Sequence, residues 1–400
     1  MTASILQSRR PLSHSRLSHG KPVYSQAESP SITGWLASRE YRYGAGAHCT
    51  VIRDFPVRLH PWFKWIFDGD LGVRCFFLIS GLLITWLLLR EREERGTINL
   101  RHFYVRRALR ILPAYYAFLL TIALLSLLTP FKQRPSAWIT NFTFTTDFLV
   151  NGEWTTGHLW SLAVEEQFYL LWPGLLLLSI AFDRKHKKQI LILIFVTALT
   201  LAPVSRAISY VLRRDASGNP FASAFSFFNY FDSIAIGCAC AFVLIHKAAW
   251  LQNLRSYAAH WTSAALSLIA IPYILGRLFI GGKIILPLGP SMEGVGLSVL
   301  VLQSIASPKK MPYGLLNFPL VRFVGVLSYS LYIWQMIFCT DPHAFGLSRA
   351  WWLGFPAWLA SAFVTACLSY FGFERPLLKL RRKFRDIPRR DEQFQSTREH

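Results

Sequence analysis

The segment HLWSLAVEEQFYLLWP carries the densest set of reactive side chains in the sequence. On a helix, His158, Ser161 and Glu165 fall on one face at i, i+3 and i+7, with Glu166 and Tyr169 beside them. An imidazole, a hydroxyl and paired carboxylates on one face suit acid–base or acyl-transfer chemistry. They equally suit a polar brace, in which the carboxylates bond to backbone or to an arginine of another helix, and the residues alone leave both readings open. A second cluster, FYVRRALRILPAYY, brings Arg106, Arg107 and Arg110 together. Closely spaced guanidinium groups hold phosphates bidentately, although a lipid-facing anchor has the same composition.

Two further segments are polar in apolar surroundings. FDGDLGVRCFFLISG places Asp68, Asp70 and Arg74 at one end of an apolar run and Ser80 with Gly81 in its middle. Small residues there favour close helix packing; Ser80 and Ser161 are also the available hydroxyl nucleophiles. LSYSLYIWQ carries Ser328, Tyr329, Ser330, Tyr332 and Gln335, more polarity than a lipid-facing helix tolerates, so its polar side is expected to line an interior cavity.

Helices must position these groups, and the composition says in what solvent. The chain has 400 residues, Lys+Arg 43 against Asp+Glu 22, a net charge of +21, 52% hydrophobic, 15% aromatic and only 16% charged residues. A soluble domain carries about 25% charged residues, and a disordered basic chain is poor in aromatics. With mean hydropathy +0.31, the sequence predicts an all-α polytopic membrane bundle. Its basic residues then set topology at a membrane surface, and no nucleic-acid partner is implied.

Apolar stretches long enough to span begin at Leu71 and Ile111 and continue over 158–182, 189–208, 224–245, 262–281, 284–306, 323–340 and 351–371. Basic residues fill alternate loops: Arg90 to Arg110, Arg184 to Lys188, Lys247 with Arg255, and Lys309 with Lys310. Both termini are basic and therefore predicted cytoplasmic, which requires an even number of spans, about ten. The tenth falls at 35–55, a degenerate span interrupted by Arg39, Glu40 and Arg42. This puts the 129–157 loop outside. Residues 1–34 read as a disordered basic cytoplasmic tail without a signal peptide, 35–375 as the membrane domain, and 376–400 as a second basic cytoplasmic tail. The six cysteines form no CxxC pair and imply neither a disulfide framework nor a metal site. Asn141-Phe-Thr143 is a glycosylation sequon best read as chance.

With these segments in hand, the chain resembles the acyltransferase-3 family of multi-pass membrane O-acyltransferases, which acylate bacterial surface polysaccharides and related acceptors. The match rests on GDLGVRCFFLISGLLITWLLLRE, FYVRRALRILPAYY, HLWSLAVEEQFYLLWP, VGVLSYSLYIWQ and FERPLLKLRRKF, in the family's order. The resemblance implies an enzyme of the bacterial inner membrane. It implies transfer of an acyl group, most simply acetyl, from a cytoplasmic acyl-CoA co-substrate to a hydroxyl of a cell-surface or exported glycan, with no resident cofactor. It makes His48 the general base, with His60 its rival beside Pro61, and Glu165 the carboxylate that orients the reaction. Arg106, Arg107 and Arg110 become the donor-binding group. Arg74, Ser80, His158, Ser161, Glu166, Tyr332 and Gln335 become the acceptor or cavity residues.

Three features depart from the family pattern. Ala37 stands where an arginine is expected eleven positions before the histidine, the apolar first span is missing upstream of Gly46, and Gln335 replaces a common histidine. Between a shifted reading frame or start upstream and a diverged, inactive protein, the intact downstream motifs favour the first. The competing class is a transporter or flippase of a polar or lipid-linked solute. Such folds often show paired broken helices in two halves, and no such symmetry is visible in the sequence.

Overall fold

The structure is a computed structural model that describes residues 69–148, 153–181, 184–214, 226–246, 248–278, 281–348, 350–354 and 356–380. His48, His60, Asp68, the 35–55 stretch, the 1–34 tail and the part of the C-terminal tail after residue 380 lie outside the described residues. Every regular element described is helical. In chain order they are α1 (Gly69–Arg95), α2 (Leu100–Leu128), α3 (Pro135–Phe142), α4 (Leu159–Ala181), α5 (Arg184–Arg214) and α6 (Ser226–His246). The chain continues through α7 (Ala248–Ser256), α8 (Ala258–Arg277), α9 (Gly282–Ala306), α10 (Pro319–Phe338) and α11 (Ala357–Leu368). A π-helical segment (Ser369–Glu374) then leads directly into α12 (Arg375–Leu380).

Among the described residues seven helices are long and apolar enough to cross a membrane: α1, α2, α6, α8, α9, α10 and the 189–209 part of α5. The expected span at 158–182 is the 23-residue helix α4, which carries Glu165 and Glu166. The one at 351–371 is the continuous helical path from α11 into α12. Leu127 (78% exposed), Leu193 (65%) and Leu320 (72%) stand on outer surfaces. Apolar area on that scale is covered by lipid in a multi-pass membrane protein.

Local sequence explains the helix ends. Arg92 and Arg95 sit in the last turn of α1, where cations complement the helix dipole, and Gly96 turns the chain at φ 75°. Asn99 then caps α2, its side chain accepting from His102 N at 3.0 Å. The closest helix crossing joins α1 to α6. A Cβ at Gly81 would lie 2.2 Å from the Ile234 carbonyl oxygen, and one at Gly237 2.0 Å from that of Leu78. Backbones approach this closely only where both helices present glycine.

The main apolar core joins α1, α2, α4, α6 and α10 through residues such as Phe77, Phe118, Leu162, Ile234 and Ile333. Cys238 and Cys240 are buried packing residues on α6. Asn141 is fully buried and its Oδ1 accepts from Thr146 at 3.0 Å, so the sequon belongs to the loop's own packing.

Candidate active site

The glycine crossing fixes the rotation of α1. With Gly81 against α6, the neighbouring Ser80 points to α4, where its hydroxyl donates to Glu165 Oε1. Of the two small residues expected to favour close packing, Gly81 is the one at the crossing, and Ser80 is a polar partner. Tyr169, one turn along α4, donates its hydroxyl to the same Glu165 oxygen and lies 3.0 Å from Ser80 Oγ. Arg107 of α2 stacks over the Tyr169 ring, its guanidinium carbon 4.2 Å from the centroid. Three of the motifs thus meet at one buried carboxylate.

The arginine cluster divides. Arg106 is ion-paired to the buried Glu91 at 3.1 Å, and the other Glu91 oxygen accepts from the Asn99 backbone at 2.8 Å. This ties the α1–α2 turn together. Arg107 is half-buried against Tyr169, and Arg110, one turn further along α2, is exposed. Arg107 and Arg110 therefore present guanidinium groups along one side of the helix.

A second cluster joins the start of α4 to α10. His158 is 1% exposed and its Nε2 lies 3.2 Å from the Ile333 carbonyl. The His158 carbonyl accepts from Tyr332 at 2.6 Å and from Ser161 at 3.3 Å, and the two hydroxyls touch each other. Gln335 is half-buried on the next turn of α10. Glu166 forms no ion pair among the described residues, and its Oε1 is buried without a hydrogen-bond partner among them. Two residues before Tyr332 on α10, Ser330 donates to Glu374 at 2.7 Å, as does Ser369, fastening the π-helical segment.

Arg74 belongs to a separate network. It pairs with Asp70 at 2.5 Å and Glu293 at 3.4 Å, while Tyr230 donates to Asp70 at 2.7 Å. Arg206, bonded to Asp232 and to the Pro287 carbonyl at 2.7 Å, continues a polar layer through α5, α6 and α9. Buried charges inside spans are paired in this way because an isolated one is prohibitively desolvated. The signal for Arg206, Asp232 and Glu293 was available in the sequence as lone charges inside apolar stretches. Tyr169, Trp334 and Glu374 offered only their place in a motif.

Outside the spans, the 129–157 loop packs on α4 through Gln167, whose Nε2 donates to the Phe144 carbonyl at 3.0 Å and to Asp147 Oδ1 at 2.9 Å. Burial pushes the Asp147 carboxyl up to about 6, against the smaller opposing effect of the Gln167 bond.

A helix bundle that encloses carboxylates, hydroxyls and guanidinium groups between lipid-facing surfaces defines a multi-pass membrane protein with a polar interior. The chain belongs to the acyltransferase-3 family, whose "Acyltransferase domain" it matches over residues 45–374. It is 28% identical over 347 residues to the peptidoglycan O-acetyltransferase OatA of Listeria monocytogenes serovar 1/2a, covering 81% of this chain and 53% of OatA. It is 25% identical over 349 residues to YrhL of Bacillus subtilis strain 168, provisionally named for the same activity, covering 80% and 52% respectively. The chain spans about half the length of these curated relatives. No solved structure matches it.

Proposed function

We propose that the protein is an O-acyltransferase of the bacterial plasma membrane. It moves an acyl group, most simply acetyl, from a cytoplasmic acyl-CoA thioester to a hydroxyl of an exported or cell-surface glycan, with peptidoglycan the first candidate. The observation that carries this reading is the continuous line from Arg107 through Tyr169 to Glu165 and Ser80. It links the end of the bundle assigned to the cytoplasm with a polar centre among the spans. Family membership and the names of the relatives support it. In this reading the 35–55 stretch completes ten spans with both termini cytoplasmic.

Arg107 and Arg110 hold the donor's phosphates, while Arg106, through Glu91, positions the helix that carries them. His48 takes the proton of the acceptor hydroxyl as its oxygen attacks the thioester carbonyl. The new C–O bond forms, the C–S bond breaks, and the imidazole returns the proton to the leaving thiolate. Glu165, fixed by two hydroxyl donors, orients the polar centre and stabilises positive charge developing on the imidazole. Gln335, which donates and accepts hydrogen bonds without carrying protons, positions substrate.

The test is His48→Ala beside His60→Ala in the full-length protein. His48→Ala is expected to lower turnover by about 10² to 10⁴ at normal membrane abundance, and His60→Ala to be mild. The reverse order of effects would reassign the base.

A further inference from the structure

Two buried polar atoms beside one aromatic ring lack hydrogen-bond partners among the described residues: His158 Nδ1 and Trp334 Nε1. His158 is 1% exposed and Trp334 8%. Both rings meet Phe118 edge-on, at centroid distances of 5.6 Å and 5.7 Å. Buried polar groups are nearly always paired, so two orphans at one ring require an explanation.

Their chemistry is complementary. A carbonyl oxygen only accepts, so the contact with Ile333 puts the hydrogen of the neutral imidazole on Nε2. Nδ1 is then a bare lone pair that needs a donor. The indole Nε1 is always a donor and needs an acceptor. One group that gives a hydrogen bond and takes another satisfies both, and an alcohol does so; an ammonium or a carbonyl meets only half of the requirement. The protein's own hydroxyls at this end of α4 and α10, Ser161 and Tyr332, are committed to the His158 carbonyl and to each other.

We propose that His158 Nδ1 and Trp334 Nε1 seat a hydroxyl of the acyl acceptor other than the one that reacts, whose own proton goes to His48. This rests on the acyl-transfer reading above and locates the acceptor at the ends of α4 and α10 remote from the cytoplasm, with the Phe118 and Tyr332 rings beside it. Aromatic walls suit the apolar faces of a sugar ring. Both residues are binding residues for the acceptor, and the proton transfer remains with His48. A buried water offers the same hydrogen-bonding chemistry, and the two sources separate in kinetics.

The experiment compares His158→Gln, His158→Asn and Trp334→Phe in the full-length protein, with acetyl-CoA as donor and soluble peptidoglycan fragments as acceptor. The glutamine amide reaches the Nε2 position and keeps the Ile333 contact, whereas the asparagine amide reaches the Nδ1 position and keeps the acceptor. His158→Gln and Trp334→Phe are expected to raise acceptor KM about tenfold with donor KM unchanged. His158→Asn is expected to hold acceptor KM near the wild-type value while lowering the melting temperature. Acceptor KM unchanged in both His158→Gln and Trp334→Phe, with only the melting temperature lowered, overturns the proposal in favour of a structural water. If the wild type transfers no acyl group, the acyl-transfer reading fails by itself. The hydroxyl seat is then decided by binding: thermal stabilisation of the wild type, but not of His158→Gln, by the same fragments supports it, and equal or absent stabilisation overturns it.

Discussion

Ser80 on α1 donates its hydroxyl hydrogen to the same Glu165 oxygen that receives the Tyr169 hydroxyl, and the Ser80 and Tyr169 oxygens are themselves 3.0 Å apart. Two helices are thereby locked around one carboxylate, and Arg107 on a third helix covers the tyrosine ring. A buried acid held in this way is preorganised for electrostatic work, because its hydrogen bonds need no rearrangement during reaction.

Removing either hydroxyl tests that arrangement. Ser80→Ala and Tyr169→Phe are each expected to lower kcat about tenfold per folded molecule, as befits loss of one hydrogen bond to a charged group. The double variant is expected to fall short of the product of the two losses, because the three groups act as a unit. Turnover per folded molecule unchanged in both single variants would make the triangle a structural brace.

The arginines are expected to separate by role. Arg110→Ala should raise donor KM while leaving acceptor KM and abundance near wild type, since the lost contact holds phosphates remote from the reacting carbonyl. Arg106→Ala and Glu91→Ala should each lower the melting temperature, and their combination should cost little more than either alone, as for one ion pair with a buried partner. Abundance and donor KM, measured on the same preparations, decide both points.

These divisions show what the sequence could and could not disclose. The apolar stretches locate, among the described residues, seven helices long and apolar enough to span, because burial in lipid demands long apolar runs, but helix ends run past them: α2 begins at Leu100, eleven residues before Ile111. Helical phase puts His158, Ser161 and Glu165 on one face and all three are buried, but it does not say that this face meets two neighbours: His158 and Ser161 bond to α10, and Glu165 bonds to Ser80 of α1. Ser80 and Gly81 illustrate the gap: both are small and mid-span, and only the crossing against Gly237 reveals which one packs and which one bonds. Glu91 sits in a run of charges that reads as solvated surface, yet it is buried on Arg106 because the turn to α2 folds back over it. Arg74, placed with the acceptor or cavity residues, lies in a layer with Glu293 and Tyr230, partners contributed by segments outside the motifs, which the motif alone does not disclose.

The 129–157 loop carries a pH dependence with a defined sign. Asp147 titrates near 6 in the folded protein against 3.8 for the free side chain. The folded state therefore holds a proton that the unfolded state has lost across that window, and stability declines as pH rises from about 4 to about 6. The loss amounts to roughly 2–3 kcal/mol, complete above the folded value and absent below the unfolded one. Asp147→Asn should remove this step, and melting temperature measured across the window checks it. An unchanged slope in the variant would mean that another group is responsible.

The central claim is transfer from a thioester on one side of the bilayer to a hydroxyl on the other. It is tested most directly in proteoliposomes of the full-length protein, with radiolabelled acetyl-CoA at the face bearing Arg110 and peptidoglycan glycan at the opposite face. The account expects label to appear in the glycan as an alkali-labile ester, and to disappear from it in His48→Ala. No label in the glycan, with solute flux across the same membranes, would contradict it and make the bundle a transporter.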